Sequence, residues 1–539
     1  MPVLATRVDP NASAFKQNRA DMLAMIDRFR GLEQKVRDHS ERGRERFHGR
    51  GQLLGRERLA LLLDRGAPFL EFSTLAGNKM HDDDGDAGIQ GGGIITGIGR
   101  VSGTRCVITA NDASIKGGSI APMGLKKHLR AQQIAMENKL PLVNLVESAG
   151  ANLLYQAEIF VDGGQIFCNL ARLSAAGIPV ITVVHGSSTA GGAYMPGMSD
   201  YVVTVRGRAK IFLGGPPLVK AAIGEDSDDE SLGGAEMHST ITGTSEHLGE
   251  DDADAIRIGR DIVAKLGWNE LNPPEAGQSF QEPLYDIDEI CGIVPVDYRK
   301  PYEVREVIAR LVDGSDFLDF KPLFGANTVC GHAAVEGYSC GIIGNNGPIF
   351  PDDAVKAAHF IQLCSQSNTP LVFLQNTTGY MVGRHAEEGG MVKHGSKMIQ
   401  AVSNTHVPKL TLMIGASFGA GNYGMCGRSY DPRFIFGWPN NRIAVMGGEQ
   451  AGGVMRTITR DKFARQGRQV DEAALEQMFQ SIVDRTEIES QATYATARIW
   501  DDGLIDPRDS RRVLAIALSI CRETAARQLH PNGFAVARG

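Results

Sequence analysis

Apolar residues recur at helical spacing near the start of the chain and form short unbroken runs beyond residue 93. Between residues 15 and 65, hydrophobic side chains at 23, 26, 29, 32 and 36 alternate with charged ones, and another apolar turn follows at 58–63. A separation of three to four residues is the period of an amphipathic helix. The pattern therefore predicts a helical N-terminal region.

Beyond residue 93, apolar runs of strand length alternate with helical patterns. Buried strands are predicted for GIITGIGRV, RCVITAND, LPLVNLVES and IPVITVVHG, which begin at 93, 105, 140 and 178. Helices are predicted for KKHLRAQQIAMENK and DGGQIFCNLARLSAAG, which lie between strands. Strands that alternate with helices form βαβ units, so we predict an α/β protein.

The strand pattern occurs twice. LPLVNLVESAG at 140 matches TPLVFLQNTTG at 369, and IPVITVVHGSSTAGGAY at 178 matches VPKLTLMIGASFGAGNY at 407, both at an offset of 229. CVITAND at 106 also resembles CGIIGNN at 340, at an offset of 234. Matches in the same order with a shared offset indicate two homologous domains.

Length and linker composition set the expected domain division. The chain of 539 residues is too long for one ordinary core. A polar, proline-containing stretch at 269–284 is the best linker candidate, with the join near 275–285. We predict an N-terminal tail at 1–20, an N-terminal domain at 21–275, a C-terminal domain at 276–525 and a C-terminal tail at 526–539.

Composition excludes several classes of protein. The net charge of −7 and the lack of a basic stripe argue against nucleic-acid binding. Eight scattered cysteines without a CxxC pair argue against a zinc site or a disulfide framework and fit a reducing compartment. No signal peptide or membrane-length apolar run is recognisable, so we expect a cytoplasmic protein. Acidic runs at 81–86 and 224–230 are interpreted as solvated loops, and no metal site is predicted.

Two glycine-rich turns are the main candidates for chemistry. HGSSTAGGAYMPG at 185–197 and IGASFGAGNYGMCG at 414–427 each follow a predicted strand. A turn that opens a helix presents free backbone N–H groups, which bind phosphate or a developing oxyanion. Neither turn carries the lysine of a phosphate-binding loop. Tight strand–helix packing is the alternative interpretation, and the repetition of the turn disfavours it.

No nucleophile with an adjacent base accompanies these turns. Their serines, Ser187, Ser188 and Ser417, lack a nucleophile elbow. His185 is either a base or a core histidine, and the second is favoured because Ile414 occupies its place in the repeat. Glu147 is interpreted as a capping or positioning residue. Chemistry that rests on backbone donors indicates that another molecule brings the base.

Six motifs in and around the turns carry a family resemblance. They are SxxxGGAYMPGMSD, FLGGPPLVKAAIGE, LGGAEMHS, FLQNTTGYMVGR, SFGAGNYGMCGRSYDPRF and MGGEQAGGVM. Over residues 20–525 the chain resembles the carboxyltransferase (β) subunit of biotin-dependent acyl-CoA carboxylases, and SFGAGNYGMCGR and MGGEQ are similar to its methylcrotonyl-CoA/geranyl-CoA branch. The resemblance implies an α/β fold of two tandem crotonase-like (ββα superhelix) domains related by duplication.

The resemblance also implies a mechanism. Carboxybiotin on a partner subunit releases CO₂, and its ring nitrogen removes a γ-proton from a 3-methyl-2-enoyl-CoA to give a dienolate. Such a reaction needs one oxyanion hole for the thioester oxygen and one for the biotin ureido oxygen. We assign Gly191 and Gly192 to the first, and Gly419, Ala420 and Gly421, with Phe418 as a further biotin contact, to the second.

The resemblance further suggests substrate-binding residues. Lys116 is the first candidate for the CoA phosphates, with Gly117 and Gly150 beside the substrate. Lys126, Lys127 and Arg130 are further candidates, with an ordinary solvated helix face as the alternative.

A departure from the family pattern bears on the acyl chain. In methylcrotonyl-CoA enzymes the segment after the ESxGAN-like motif is longer and carries a phenylalanine beside the acyl pocket. Here the corresponding segment, FVDGGQIFCNLA at 160–171, is shorter. Gly163 and Gly164, in a short loop, stand where the phenylalanine would be. The resulting space favours geranyl-CoA over methylcrotonyl-CoA.

The chain lacks a biotinylation motif and an ATP-binding loop, so it needs a partner. The resemblance implies a biotin carboxylase/carrier α subunit, with a β hexamer inside an α6β6 complex and active sites between the N-terminal domain of one β chain and the C-terminal domain of another. Biotin on the partner and CoA within the substrate are the implied cofactors. The alternatives are a methylcrotonyl-CoA carboxylase β subunit, a biotin-independent crotonase-like hydratase or decarboxylase, and a non-catalytic CoA-binding scaffold.

Overall fold

The structure, a computed structural model, describes residues 3–81, 88, 90–270 and 279–536. The chain divides into two compact units. The N-terminal unit comprises Gly31–Glu275, Ala497–Ile499 and Arg522–Gly539; the C-terminal unit comprises Met1–Arg30, Ala276–Thr496 and Trp500–Cys521. Among the described helices, none combines the length and the apolar character needed to cross a membrane.

An eight-stranded mixed sheet organises the N-terminal unit. Its strands run in the order β1-β2-β3-β4-β5-β6-β8, and β7 pairs with β5. The first three strands are antiparallel, and the pairs from β3 onwards are parallel. The strands are β1 (Leu70–Glu71), β2 (Ile94–Val101), β3 (Thr104–Asn111), β4 (Leu142–Ser148), β5 (Val180–Thr189), β6 (Tyr201–Val205), β7 (Lys210–Phe212) and β8 (His247–Gly249).

A seven-stranded sheet of the same design organises the C-terminal unit. Its order is β14-β13-β12-β11-β10-β9, and β15 pairs with β13. The strands are β9 (Leu318–Asp319), β10 (Thr328–Val335), β11 (Tyr338–Asn345), β12 (Leu371–Thr377), β13 (Lys409–Phe418), β14 (Phe434–Gly437) and β15 (Arg442–Ala444).

Helices connect the parallel strands and cover the sheets, as right-handed βαβ crossovers do. They are α1 (Ser13–Glu41), α2 (Arg44–His48), α3 (Gly55–Leu62), α4 (Pro122–Glu137), α5 (Gln156–Ala175), α6 (Tyr194–Gly197), α7 (Pro216–Ile223), α8 (Asp229–Gly233), α9 (Ala235–Met237), α10 (Asp252–Lys265), α11 (Ile290–Ile293), α12 (Val304–Leu311), α13 (Pro351–Gln366), α14 (Arg384–Glu388), α15 (Met391–Asn404), α16 (Gly419–Gly424), α17 (Gly448–Arg465), α18 (Glu472–Glu489), α19 (Ala492–Ala497) and α20 (Ser510–Ala526).

The predicted α/β duplication is confirmed at the level of individual elements. The bounds of β4, β5 and α4 recur in β12, β13 and α13 with the offset of 229 seen in the sequence, and those of β2 and β3 recur in β10 and β11 with the offset of 234. The pairing between β4 and β5 shifts register between Val146 and Ser148, and that between β12 and β13 shifts between Gln375 and Thr377. The two units therefore share even a local irregularity.

Each unit has its own apolar core. Val143, Ile181 and Val203 from adjacent strands are fully buried in the N-terminal unit, and Ile343, Leu371 and Phe373 are fully buried in the C-terminal unit. Helices lie against the parallel part of each sheet, so its strands read as continuous apolar runs. This explains why those strands were recognisable from the sequence.

The ends of the chain are packed, whereas the sequence predicted tails. In the C-terminal unit, the Leu4 amide donates to the Ser315 carbonyl oxygen over 3.0 Å. In the N-terminal unit, the Asn532 amide donates to the Ala175 carbonyl oxygen over 3.0 Å, and Arg527 is 2% exposed. The helical N-terminal region is divided into α1, α2 and α3. Most of the acidic run at 81–86 and the centre of the linker at 269–284 lie outside the described residues.

A buried ion cluster fastens the end of α20 to the N-terminal unit. Glu523, which is 9% exposed at its side chain, pairs with Arg105 over 2.9 Å and with Arg527 over 2.8 Å. Burial lowers the pKa of Arg527, which shows the cost of placing this cation in the interior. One carboxylate therefore compensates two largely buried guanidinium groups.

We predict that Glu523→Ala destabilises the protein by about 3–5 kcal/mol, because two buried cations lose their carboxylate. Urea unfolding at neutral pH measures the change. Asp261→Ala is the matched control, because Asp261 pairs with Arg257 at an exposed site and such pairs contribute little. Equal behaviour of the two variants would contradict the prediction.

Candidate active site

Three turns of the N-terminal unit meet at the carboxyl ends of adjacent parallel strands. They are the 3₁₀ turn Lys116–Gly118 after β3, the turn at Gly150 after β4, and the 3₁₀ turn Ala190–Ala193 after β5. The Ala149 amide donates to the Gly117 carbonyl oxygen over 3.2 Å. A Cβ on Gly150 would lie 3.2 Å from the carbonyl oxygen of Thr189. The structure thus brings together Lys116, Gly117, Gly150, Gly191 and Gly192, which the sequence analysis selected.

The turn after β5 exposes backbone donors. Ala190 has a φ of +53°, which reverses the chain at the end of the strand. Gly192 is buried, and its carbonyl oxygen accepts a hydrogen bond of 2.9 Å from the Ser188 hydroxyl. The first N–H groups of a helical turn have no acceptor within it, so those of this turn are available to an external oxygen. The arrangement fits stabilisation of an oxyanion.

The turn after β13 repeats this geometry in the C-terminal unit. Gly419, the counterpart of Ala190, has a φ of +55°. Gly421 is buried like its counterpart Gly192, and Ala420 beside it is exposed. A Cβ on Gly421 would lie 2.8 Å from the Cα of Gly379, so the close approach requires glycine. The predicted biotin-side residues therefore form a second donor-bearing turn.

The residue before this second turn is held by an aromatic contact. Phe418 is 4% exposed, and its ring meets that of Tyr298 edge-on at a centroid distance of 5.2 Å. A Cβ on Gly419 would lie 3.2 Å from the carbonyl oxygen of Val445. The Phe418 side chain is thus part of the support of the turn and contributes little exposed surface.

A network of neutral groups lies beneath the second turn. The Ser417 hydroxyl donates to Gln375 Oε1 over 2.6 Å and accepts from Asn422 Nδ2 over 2.7 Å. Gln375 Nε2 donates to the Met425 carbonyl oxygen over 2.7 Å. These bonds tie β12, β13 and α16 together without a charged group.

The network beneath the first turn is charged. Arg58, on α3, pairs with Glu147 over 2.6 Å and with Asp252 over 3.2 Å. The Asp252 carboxylate also pairs with His185 Nδ1 over 2.7 Å. Arg58, Asp252 and His185 have side chains no more than 2% exposed. No signal in the sequence links these four residues, which the fold gathers from α3, β4, β5 and α10.

The protonation states in this network follow from burial and charge. Burial, followed by the charge of Arg58, lowers the pKa of His185 to about 4. Burial opposes ionisation of Asp252, but the hydrogen bond from His185 and the charge of Arg58 lower its pKa to about 2. His185 is therefore a neutral core residue that donates through Nδ1, which agrees with its interpretation as a core histidine. Glu147 serves as a partner for Arg58.

Gly163 and Gly164 lie inside α5, which confirms the helix predicted from Asp162 onwards and shows that the short loop expected at these two glycines is wrong. The residues on either side of the two glycines stabilise the helix, because Ile159, Ile166 and Leu170 lie at helical spacing and bury one face of it. A Cβ on Gly164 would meet nothing within 4 Å, and one on Gly163 would meet only Ile159, at 3.7 Å. Each interior glycine costs a helix about 1 kcal/mol relative to alanine, yet space for a side chain is present.

Helix α5 contacts the first turn. Phe167 lies one helical turn beyond Gly163, and its Cζ would be 3.6 Å from a Cβ on Gly191. Its ring also meets that of Tyr194 at a centroid distance of 5.5 Å. Gly163, four residues before Phe167, therefore lies on the same face of α5 as this contact, whereas Gly164 is exposed.

The candidate cations differ in accessibility. Lys116 and Lys126 are both exposed, and the Lys126 ammonium group donates to the Arg498 carbonyl oxygen over 2.8 Å. Lys127 is 2% exposed, bonds the Gly91 carbonyl oxygen over 3.1 Å, and has its pKa lowered by burial to about 8. Arg130 is 7% exposed. Neither a solvated helix face nor phosphate binding therefore fits Lys127 and Arg130. Of the two exposed lysines, Lys116 remains the first candidate because Lys126 already donates to a carbonyl oxygen.

The described part of the chain offers no cluster of side chains suited to a metal ion. Within the described ranges, no three histidine, cysteine, aspartate or glutamate side chains are grouped so that they could hold a metal ion. The charged network of Arg58 has its carboxylates engaged by a guanidinium and an imidazole.

Comparison with known proteins places this geometry in a family. The carboxyl transferase domain model matches residues 46–533. The chain belongs to the carboxyl transferase family. A relative from Mycobacterium tuberculosis, named a probable biotin-dependent acyl-coenzyme A carboxylase beta2 subunit, is 52% identical over 96% of this chain and 97% of its own. The methylcrotonoyl-CoA carboxylase beta chain of Dictyostelium discoideum is 49% identical in an alignment that covers 99% of this chain and 91% of the relative.

A solved structure resembles this carboxyl transferase over its whole length. The β subunit of geranyl-CoA carboxylase from P. aeruginosa superposes on it with a TM-score of 0.94. The two sequences are 58% identical, and the alignment covers 100% of both chains. The resemblance to acyl-CoA carboxylase β subunits is thus confirmed, together with the two-domain crotonase-like fold. This carboxyl transferase is an enzyme subunit of the acyl-CoA carboxylase class.

We predict that His185→Gln flattens the dependence of stability on pH. Because the folded-state pKa of His185 is about 4 and the unfolded value is ~6.5, the unfolded chain binds the additional proton first as pH falls. His185 therefore stabilises the fold above pH ~6.5 and loses that contribution between ~6.5 and ~4, at up to ~1.4 kcal/mol per pH unit. Glutamine lacks this titration but can still donate to Asp252. Urea unfolding across this range tests the prediction, and parallel curves would contradict it.

Proposed function

We propose that this carboxyl transferase moves CO₂ from carboxybiotin, carried by a partner α subunit, to the γ-carbon of a 3-methyl-2-enoyl-CoA, with geranyl-CoA as its substrate. The observation that carries the reaction type is the pair of matched turns, one per unit, with a left-handed residue at Ala190 and at Gly419. Two donor-bearing turns meet the demand for two stabilised oxygens.

The first turn is assigned to the acyl-CoA. Gly191 and Gly192 donate backbone hydrogen bonds to the thioester oxygen, on which charge builds when the γ-proton leaves. The charged network of Arg58, Glu147, His185 and Asp252 fixes the strand that delivers the turn. Preformed donors stabilise the dienolate without reorganising, which is how such sites lower a barrier.

The second turn is assigned to the biotin group. Gly419, Ala420 and Gly421 provide the donors for the ureido oxygen, and the neutral network of Ser417, Gln375 and Asn422 holds them. An uncharged support suits a neutral cyclic urea. When bound, carboxybiotin supplies the CO₂ and the base, which fits turns whose proposed contacts are backbone amides.

Geranyl-CoA is favoured by α5. The relatives named methylcrotonoyl-CoA carboxylases act on a shorter acyl group, whereas the structural neighbour is named a geranyl-CoA carboxylase. In this chain, a Cβ on Gly164 would meet nothing within 4 Å and one on Gly163 would meet only Ile159, and Gly163 lies one helical turn before Phe167, which contacts the first turn. A longer branched chain gains ~0.8 kcal/mol for each buried CH₂ group, so it uses the space that a five-carbon chain leaves empty.

The proposal includes assembly with an α subunit and other β chains. Leu153, Leu154, Phe160 and Val161 of the N-terminal unit are at least 77% exposed. Contiguous exposed apolar side chains of this size are typical of contact surfaces. We propose a β oligomer, as a hexamer, in which the N-terminal domain of one chain meets the C-terminal domain of another.

Removing one backbone donor tests the two turns. We predict that Gly192→Pro and Gly421→Pro each reduce carboxyl transfer to geranyl-CoA about 10²–10³-fold, because proline has no N–H and one lost oxyanion donor costs ~2.7–4 kcal/mol. Biotin carboxylation by the partner serves as the reference activity and should be unchanged.

Ala190→Gly is the matched control for the proline variants. It keeps the N–H and removes a Cβ from a left-handed residue, so transfer should be retained and the fold should gain up to ~1 kcal/mol. Near-normal transfer by folded Gly192→Pro and Gly421→Pro would reject the assignment of the donors.

Filling the space on α5 tests the substrate. We predict that Gly163→Phe or Gly164→Phe lowers kcat/KM for geranyl-CoA roughly 5- to 150-fold, the effect of overpacking by ~1–3 kcal/mol, and spares methylcrotonyl-CoA. Gly163→Ala and Gly164→Ala are the controls, which should stabilise the helix by up to ~1 kcal/mol and leave both substrates unaffected. Equal losses for both substrates, or a preference of the wild type for methylcrotonyl-CoA, would remove geranyl-CoA as the substrate.

A further inference from the structure

A small cavity inside the N-terminal unit lies behind the proposed acyl site. Its lining includes Ser119 and Ile120, which follow the turn at Lys116, Ile166 of α5, and Met195 of α6, which follows the turn at Gly191. Three of the elements that carry proposed substrate contacts thus continue into its wall. The cavity has a volume of about 20 Å³, and one water molecule needs ~10–15 Å³.

His128 is the buried polar side chain of this wall. It lies on α4, is 4% exposed, and lines the cavity. Its Nε2 atom is buried and has no hydrogen-bond partner among the described residues. Burial lowers the pKa of His128 to about 4, so the ring is neutral near pH 7. A buried polar atom without a partner is costly, and its retention in a wall that also includes Asn111 and Ser119 calls for a polar ligand.

A hydroxyl group is the ligand that complements this site. In a neutral imidazole, Nε2 is either a donor or an acceptor, and a hydroxyl can satisfy both states. A hydroxyl is also close to water in size, so it fits the available space. A methyl group would leave Nε2 unpaired, whereas a carboxylate would bring an uncompensated charge into the interior.

We infer that this cavity is a subsite for a hydroxyl group near the distal end of the acyl chain, with His128 Nε2 as its hydrogen-bond partner. The inference rests on the proposed function, because it places the chain between the first turn and α5. It extends the substrate class from branched hydrocarbon chains to terminally hydroxylated ones. With an unhydroxylated chain, a water molecule occupies the cavity and pairs with Nε2.

The test compares three CoA esters in the reconstituted α/β enzyme: geranyl-CoA, geranyl-CoA hydroxylated on its distal terminal carbon, and the methyl ether of that alcohol. For the wild type we expect the alcohol to be preferred over the ether, which is too large for the cavity. The ratio of kcat/KM for the alcohol to that for geranyl-CoA should fall 5- to 150-fold in His128→Leu, the effect of one unsatisfied hydrogen bond.

Two further variants separate recognition from folding. His128→Gln retains a hydrogen-bonding side chain and should recover part of the ratio. His332→Leu removes a partly buried histidine that packs on Phe360 in the C-terminal unit, and it should leave the ratio unchanged. If His128→Leu does not fold, the wild type is compared on geranyl-CoA hydroxylated at a mid-chain carbon, where no gain over geranyl-CoA is expected.

The outcomes distinguish this inference from the proposed function. If both the wild type and His128→Leu turn over geranyl-CoA and have the same ratio of kcat/KM for the alcohol to that for geranyl-CoA, the subsite is overturned and the proposed function stands. An equal gain from mid-chain and terminal hydroxyl groups would do the same. Absence of turnover with either geranyl ester, together with turnover of methylcrotonyl-CoA, would overturn both.

Discussion

A single left-handed residue at the end of a central strand is the constraint on which the candidate site depends. At Ala190 and at Gly419 this backbone conformation ends the strand and starts a helical turn, whose first amides have no acceptor within the turn. An L-residue pays ~1–2 kcal/mol for the conformation, and glycine avoids that cost. The N-terminal unit nevertheless uses alanine there, supported by a close approach of Gly150 to the strand end. Strain at this point is the type found where a backbone is preorganised for function.

The two units show how one turn can be supported in two electrostatic ways. The first rests on an ionic network that contains Arg58 and Asp252, and the second on the amide and hydroxyl groups of Gln375 and Ser417. Both networks tie the strand that ends in the turn to its neighbours. The duplication therefore preserved the backbone and allowed its support to diverge, which agrees with different ligands for the two turns.

The sequence predicted what depends on local pattern and repetition. The strands were recognisable because both faces of each sheet are covered, and the two turns were found because their glycines repeat at one offset. The charged network was not predictable, because Arg58 and Asp252 are 194 residues apart. The apolar pattern predicted a helix from Asp162, whereas the comparison with methylcrotonyl-CoA enzymes suggested a short loop at Gly163 and Gly164. The helix forms because the buried face of the flanking residues outweighs the low helix propensity of the glycines. The burial of Lys127 was not predictable, because the sequence of its helix does not show which other segments pack around this side chain.

The assignment of the chain ends to the units bears on how the protein is made. Residues up to Arg30 belong to the C-terminal unit, and those from Arg522 onwards belong to the N-terminal unit. Domains usually fold in order as they leave the ribosome. Here the unit that is translated first acquires its last segment only after most of the C-terminal unit has been translated. Cutting the gene at the repeat boundary would separate each half from a segment that it needs, and two independent modules would not result.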